Sequence, residues 1–230
     1  MNLTDRNPVS QEIKNLRRNR LDSLPHAGMV VVLSGNGTVE EHVQPGSDLH
    51  RINTGITAVR LIAAQKLNID IKRVKPNDIR DAGVLFYYNG RTDDQNPAMR
   101  RFRESPDCPL PPDLFVIEQL PQDAQHTGGQ AAVFAEYLSY NSSLKSVPKI
   151  LITHEYHVPR VSRYPEFQQE LEEGRLTFLP VRDQLRRRHK VRKGERERIV
   201  KYTNTGNLVE PSIADMPAFY LPRRTAKKWH

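Results

Sequence analysis

One cysteine in 230 residues, Cys108, leaves no internal disulfide available to hold the fold. It stands between Pro106 and Pro109 in a proline-rich connector, with no histidine near it in sequence. It therefore reads as a bystander thiol rather than a nucleophile. Long apolar runs are also missing. No stretch approaches the roughly 18 apolar residues that a membrane helix requires. The first residues, Met1-Asn2-Leu3-Thr4-Asp5-Arg6, carry no apolar signal region, so a cytoplasmic protein with no membrane contact is the expectation. Familiar catalytic signatures are absent too. There is no G-x-S-x-G elbow, which argues against a hydrolase triad. The first glycine loop lacks the G-x-G-x-x-G spacing of a dinucleotide fingerprint. No internal repeat and no second core are apparent, so residues 1–230 are read as a single domain.

What the chain does have is charge. Charged residues make up 27% of it and hydrophobic residues 37%, polar overall but sufficient for a core. The net charge is +8. The excess lies late, in Arg186-Arg187-Arg188-His189-Lys190-Val191-Arg192-Lys193 and Arg223-Arg224-Thr225-Ala226-Lys227-Lys228. Such patches bind nucleic acid or other polyanions through phosphate contacts. Few aromatics interleave with them, so a solvated helix face plus a basic tail is the favoured reading. Nucleic-acid binding is the alternative.

Five short apolar runs read as strands. They are Met29–Leu33, Val84–Tyr88, Leu114–Ile117, the run beginning at Lys149-Ile150-Leu151-Ile152, and Leu176–Val181. Helical spacing is found over 9–24, over Ile52–Leu67, over Ala131–Leu138, from Val158 onward, and in a basic stretch from about Arg182 to Tyr202. The tail from Thr203 has no clear period. Strands alternating with helices imply βαβ units and a mostly parallel sheet of about five strands.

In a parallel sheet the segments that follow the strands meet on one edge, where open α/β sheets bind ligands. Here those segments are Ser34-Gly35-Asn36-Gly37, Asn89-Gly90-Arg91, Glu118, and Thr153-His154-Glu155-Tyr156-His157. The glycine loops offer backbone N–H groups to an anion. The helix that opens near Thr127-Gly128-Gly129 offers further free N–H donors. Glu118 suits a ribose hydroxyl or an amine, or else caps a local turn. His157 suits acid–base work near neutral pH, and Arg160 suits a carboxylate or phosphate. His154, Glu155 and His157 are one residue too closely spaced for the H-E-x-x-H zinc pattern and follow a strand, so no metal is expected.

The order of these blocks resembles the YdcF/SanA/ElyC-like family of bacterial proteins, from about Met29 to Val181. The strongest part is Ile150 to Arg160, which matches a strand followed by T-x-x-x-H-x-P-R. Gly35 and Gly37 fit the family's first loop, and Arg51 fits the arginine that opens the next helix. Asn89 and Gly90 stand where Ser-Gly-Gly is usual. Glu118 fits the acidic strand end, and Thr127, His157 and Arg160 match directly. Ala124, His126 and Gly129 depart from the usual Ser, Asn and Glu. The resemblance implies an α/β, Rossmann-like three-layer sandwich. It also implies binding of S-adenosylmethionine or a nucleotide. His157 and Arg160 would then act at the reacting group, with Gly35, Asn36, Gly37, Arg51, Asn89, Gly90, Glu118, Thr127, Thr153 and His154 around the ligand. It implies no particular reaction, and the oligomeric state stays open.

Overall fold

The computed structural model describes residues 26–35, 48–181 and 188–209. The helix expected over 9–24, Asn36 and Gly37 of the first loop, and the tail beyond 209 lie outside the described residues. So do the side chains of the basic stretch Arg186–Lys193.

The strands are β1 (Met29–Leu33), β2 (Leu85–Gly90), β3 (Phe115–Gln119), β4 (Lys149–His154) and β5 (Leu176–Val181). The helices are α1 (Asp48–Leu67), α2 (Pro76–Ala82), α3 (Gln95–Glu104), α4 (Thr127–Tyr140), the single turn α5 (Val158–Val161), α6 (Pro165–Glu172) and α7 (Arg188–Asn204). All four strand pairings are parallel. The strand order is β3-β2-β1-β4-β5. This is an α/β, Rossmann-like three-layer sandwich.

Alternation along the strands explains the layers, because successive side chains point to opposite faces. Val30, Val32, Phe86, Tyr88, Ile150 and Ile152 pack against Ile52, Ile56, Val59 and Ile62 of α1. Met29, Val31, Leu33, Tyr87 and Leu151 face Ala131, Phe134 and Leu138 of α4 and Phe167 of α6. All five residues of β1 are buried, as expected for a central strand covered on both faces. Each such Val or Leu side chain contributes about 1.5–3 kcal/mol on burial. Gly55 lets α1 lie close to the sheet. A Cβ there would sit 2.7 Å from Val32 and 2.8 Å from Phe86.

Several boundaries differ from the sequence expectation. β2 continues to Gly90 because its ladder with β3 extends through Asn89↔Glu118 and Gly90↔Gln119. α1 starts at Asp48, so Arg51 sits one turn inside the helix instead of opening it. α2 and α3 were not expected. Pro76 and a left-handed Gly83 (φ 61°) delimit α2. Asp94 caps α3, accepting from Gln95 N–H.

Candidate functional site

The strand order reverses between β1 and β4: β1 leads outward to β2 on one side, and the chain later returns to place β4 on the other. Such a switch point leaves a crevice at the carboxyl ends of the two strands. Ser34 and Gly35 follow β1 there, and Thr153 and His154 end β4.

His157 is the centre of the β4 half. It is 4% exposed, and every polar atom of its ring is engaged. Nδ1 lies 2.8 Å from Thr153 Oγ1. Nε2 lies 2.7 Å from Arg160 Nη2 and 3.3 Å from Thr127 Oγ1. A guanidinium only donates, so Nε2 must accept, and the ring proton belongs on Nδ1 and points to Thr153. Burial pushes the imidazole well below its ordinary range, and Arg160, Arg51, His154 and Arg198 push it the same way. His157 is therefore neutral.

Arg160 is held on several sides. Its Nε donates to Glu195 Oε2 at 2.7 Å and its Nη1 to Thr127 Oγ1 at 3.1 Å. Burial opposes its charge, but the hydrogen bond and charge of Glu195, together with Tyr164, outweigh that effect, so the guanidinium is held above its usual range. Glu195, from α7, is 3% exposed and also accepts from Arg198 Nη1. Neither Glu195 nor Arg198 drew notice in the sequence. They lie 35 or more residues beyond Arg160, in a stretch dominated by basic residues.

The β1 half is built around Asp48, at the start of α1 and 0% exposed. It accepts from Gly35 N–H and from Gln95 Nε2. Gln95 also donates to Gly35 O at 2.9 Å. Burial raises the Asp48 carboxyl to about 6, against the lowering influence of Arg51 and of the Gly35 N–H. Arg51 Nη1 donates to Leu33 O at 2.8 Å, so Arg51 ties α1 to the end of β1. Gly35 is required by this packing: a Cβ there would lie 2.9 Å from Asp48 Oδ1.

Gln130 lies in the first turn of α4, three residues after Thr127, and serves the β1 half. Its Nε2 donates to Ser34 Oγ at 2.7 Å and to Asn89 O at 3.1 Å, while Asn89 Nδ2 donates to Gln130 O. Gly90 N–H donates to Asn96 Oδ1 of α3. Gly129 lets α4 start against the preceding turn, since a Cβ there would lie 1.9 Å from Ala124 O. The departure at Gly129 thus has a local packing cause. His126 caps the same turn, its Nδ1 accepting from Gly129 N–H.

Thr127, His157 and Arg160 are thus in mutual contact, with Thr153 on the other nitrogen of the His157 ring, while Gly35 and Arg51 lie at the end of β1 and Asn89 at the end of β2. His154 is buried on the α1 side of β4, its ring stacked on Tyr156 with centroids 5.5 Å apart. Glu118 pairs in register with Asn89. It lies on the edge strand, three strand spacings or roughly 14 Å from β4. Burial raises its carboxyl, and Glu136 of α4 raises it further. Among the described residues, three buried polar atoms at this edge have no hydrogen-bond partner: Asn89 Oδ1, Tyr88 OH and Arg51 Nε. Among the described residues no His, Cys, Asp and Glu group is arranged to hold a metal ion, and no helix is long and apolar enough to cross a membrane.

Comparison with protein-family models, with curated proteins and with solved structures finds no match to this chain.

Proposed function

We propose that this chain binds a nucleotide-like or S-adenosylmethionine-like small molecule in the crevice between β1 and β4, and that it is a relative of the YdcF/SanA/ElyC-like proteins. One observation carries the binding reading. Buried polar side chains from β2, β4, α1, α3, α4, α7 and the segments that follow β1 and β4 converge at the switch point of the sandwich, and among the described residues three of their polar atoms are unsatisfied. Each buried orphan costs about 1–3 kcal/mol. A fold gains nothing from that cost, whereas a ligand that supplies the missing partners would remove it. Asn89 Oδ1 suits a ligand amine or hydroxyl, and Arg51 Nε suits an acceptor.

His157 serves this site as a neutral, oriented imidazole. Its Nε2 lone pair is shared between Arg160 and Thr127, so a proton acceptor is held in a fixed direction. Titration calorimetry of the folded chain with S-adenosylmethionine, adenosine, AMP and ATP tests the reading. Saturable binding of at least one is expected, weakened in His157→Ala and Arg160→Ala variants. No heat with any of them, or variants that bind as well as the parent, would refute it.

A further inference from the structure

The Glu195 carboxylate is the least expected group in the site. It is the acidic group hydrogen-bonded to Arg160, and α7 delivers it from outside the βαβ units that build the crevice. Its two oxygens are each taken by a different arginine, Oε2 by Arg160 and Oε1 by Arg198. Arg160 in turn reaches Thr127, the first residue of α4, and the neutral His157. Two guanidinium groups around one pair of acidic oxygens, one of them oriented by Thr127 and His157, form a set that recognises a phosphate or a ligand carboxylate. Arg160 is 11% exposed and Glu195 4%, whereas Arg198 is 48% exposed. One wall of this nest therefore opens to solvent while the other lies inside the crevice.

We propose that Glu195 is an internal stand-in for the anionic group of the ligand: phosphate or carboxylate oxygens take its place between Arg160 and Arg198, and Glu195 is displaced with the movement of α7. This rests on the binding reading above and deepens it, because it assigns the ligand an acidic group. Among the described residues, charged groups near the nest include Arg51 from α1 and Asp48, which faces Arg51. Counting Arg51, Arg160 and Arg198 against Asp48 and Glu195, removal of the Glu195 charge leaves a clear positive excess. Buried ion pairs contribute little net stability, so exchange of one carboxylate for another anion is energetically accessible. The same contact makes the crevice self-inhibited when no ligand is present, and it makes affinity a competition.

The test is calorimetry of the full chain and its Glu195→Gln variant with inorganic phosphate, AMP, adenosine and S-adenosylmethionine. The variant should bind phosphate and AMP about tenfold to a hundredfold more tightly than the parent, the gain from removing one competing charge-assisted hydrogen bond. Adenosine affinity should not change. If S-adenosylmethionine gains instead of phosphate and AMP, the anion is a carboxylate and the proposal still holds. If adenosine or S-adenosylmethionine binds but no anionic probe gains affinity, the stand-in is overturned and the binding reading survives. If no probe binds either folded protein, both fall. Should Glu195→Gln not fold, Glu195→Asp draws the carboxylate back from Arg160 and must give the same direction of change. Arg198→Gln must reduce the gain, and an unchanged gain would also overturn the proposal.

Discussion

The two edges of the sheet carry chemically similar buried clusters that are organised in opposite ways. At the amino edge, Lys149 is 1% exposed, and its three ammonium protons go to Lys145 O, Val147 O and Glu170 Oε2. Glu170 is bound again by Arg175 Nη2 and Nε. Burial would raise the Glu170 carboxyl, but Arg175 and Lys149 outweigh it and hold it below the ordinary range. That cluster is closed, with every donor matched. At the carboxyl edge the unsatisfied atoms Asn89 Oδ1, Tyr88 OH and Arg51 Nε remain beside a neutral histidine and a carboxyl raised to about 6. A cluster that only locks elements together can be completed from within the chain. A cluster left incomplete on the crevice side is one that a ligand can complete.

The contrast is broken most directly at the closed edge. Glu170→Ala strands a buried lysine and should cost about 3–5 kcal/mol in urea unfolding. Lys149→Met, which removes the charge and leaves the Glu170–Arg175 pair, should cost clearly less. Neither should alter ligand affinity in the folded protein. Equal costs would mean that the pair does not act as a closed unit.

The pH dependence separates two residues of the open edge. Asp48 binds its proton more tightly when folded, so its stability contribution is present below pH 4 and is lost as pH rises toward 6. His157 has the opposite sign. Its proton is bound less tightly when folded, so stability is lost as pH falls below about 6.5, the ordinary histidine value. The two oppose each other between pH 4 and 6.5. Denaturant melts across that window should therefore fall with rising pH in His157→Gln, by up to about 3 kcal/mol for the roughly two-unit rise at Asp48, and rise in Asp48→Asn. Parallel profiles in the two variants would contradict these assignments.

Gly129→Ala should destabilise by about 1–3 kcal/mol through overpacking, since the new methyl meets a backbone carbonyl. It should also weaken binding by moving Thr127. Thr153→Val is the mildest change. It leaves His157 Nδ1–H without its acceptor, at a cost of about 1–3 kcal/mol. Nitrogen NMR should report the Nδ1–H tautomer in the parent and still in the variant, because Arg160 continues to require Nε2 as acceptor. A parent that is Nε2–H would reverse the proposed donor directions.

Much of this was legible beforehand. β1 and β5 were expected at their observed bounds, because alternating or continuous apolar runs between turn residues leave little freedom. The meeting of Gly35, Asn89, Thr127, Thr153, His157 and Arg160 follows once the strands are taken as parallel. α2 and α3 were missed because their signals are short: a proline–glycine bracket around seven residues, and a ten-residue helix with three buried side chains. Glu118 ends a strand as expected and pairs in register with Asn89, while lying three strands from β4.

Composition and periodicity by themselves determined the layers and the edge that carries the polar residues. That information is local, written in the two-residue period of strands and the turn residues that follow them. Only the tertiary structure decided the order β3-β2-β1-β4-β5, which set Glu118 beside Asn89 and away from β4 and put the first turn of α4 between the halves. It alone brought Glu195 onto Arg160. The Arg160–Glu195 and Gln130–Ser34 contacts join residues 35 and 96 positions apart, and they are set by which helix faces pack together rather than by any pattern within one segment.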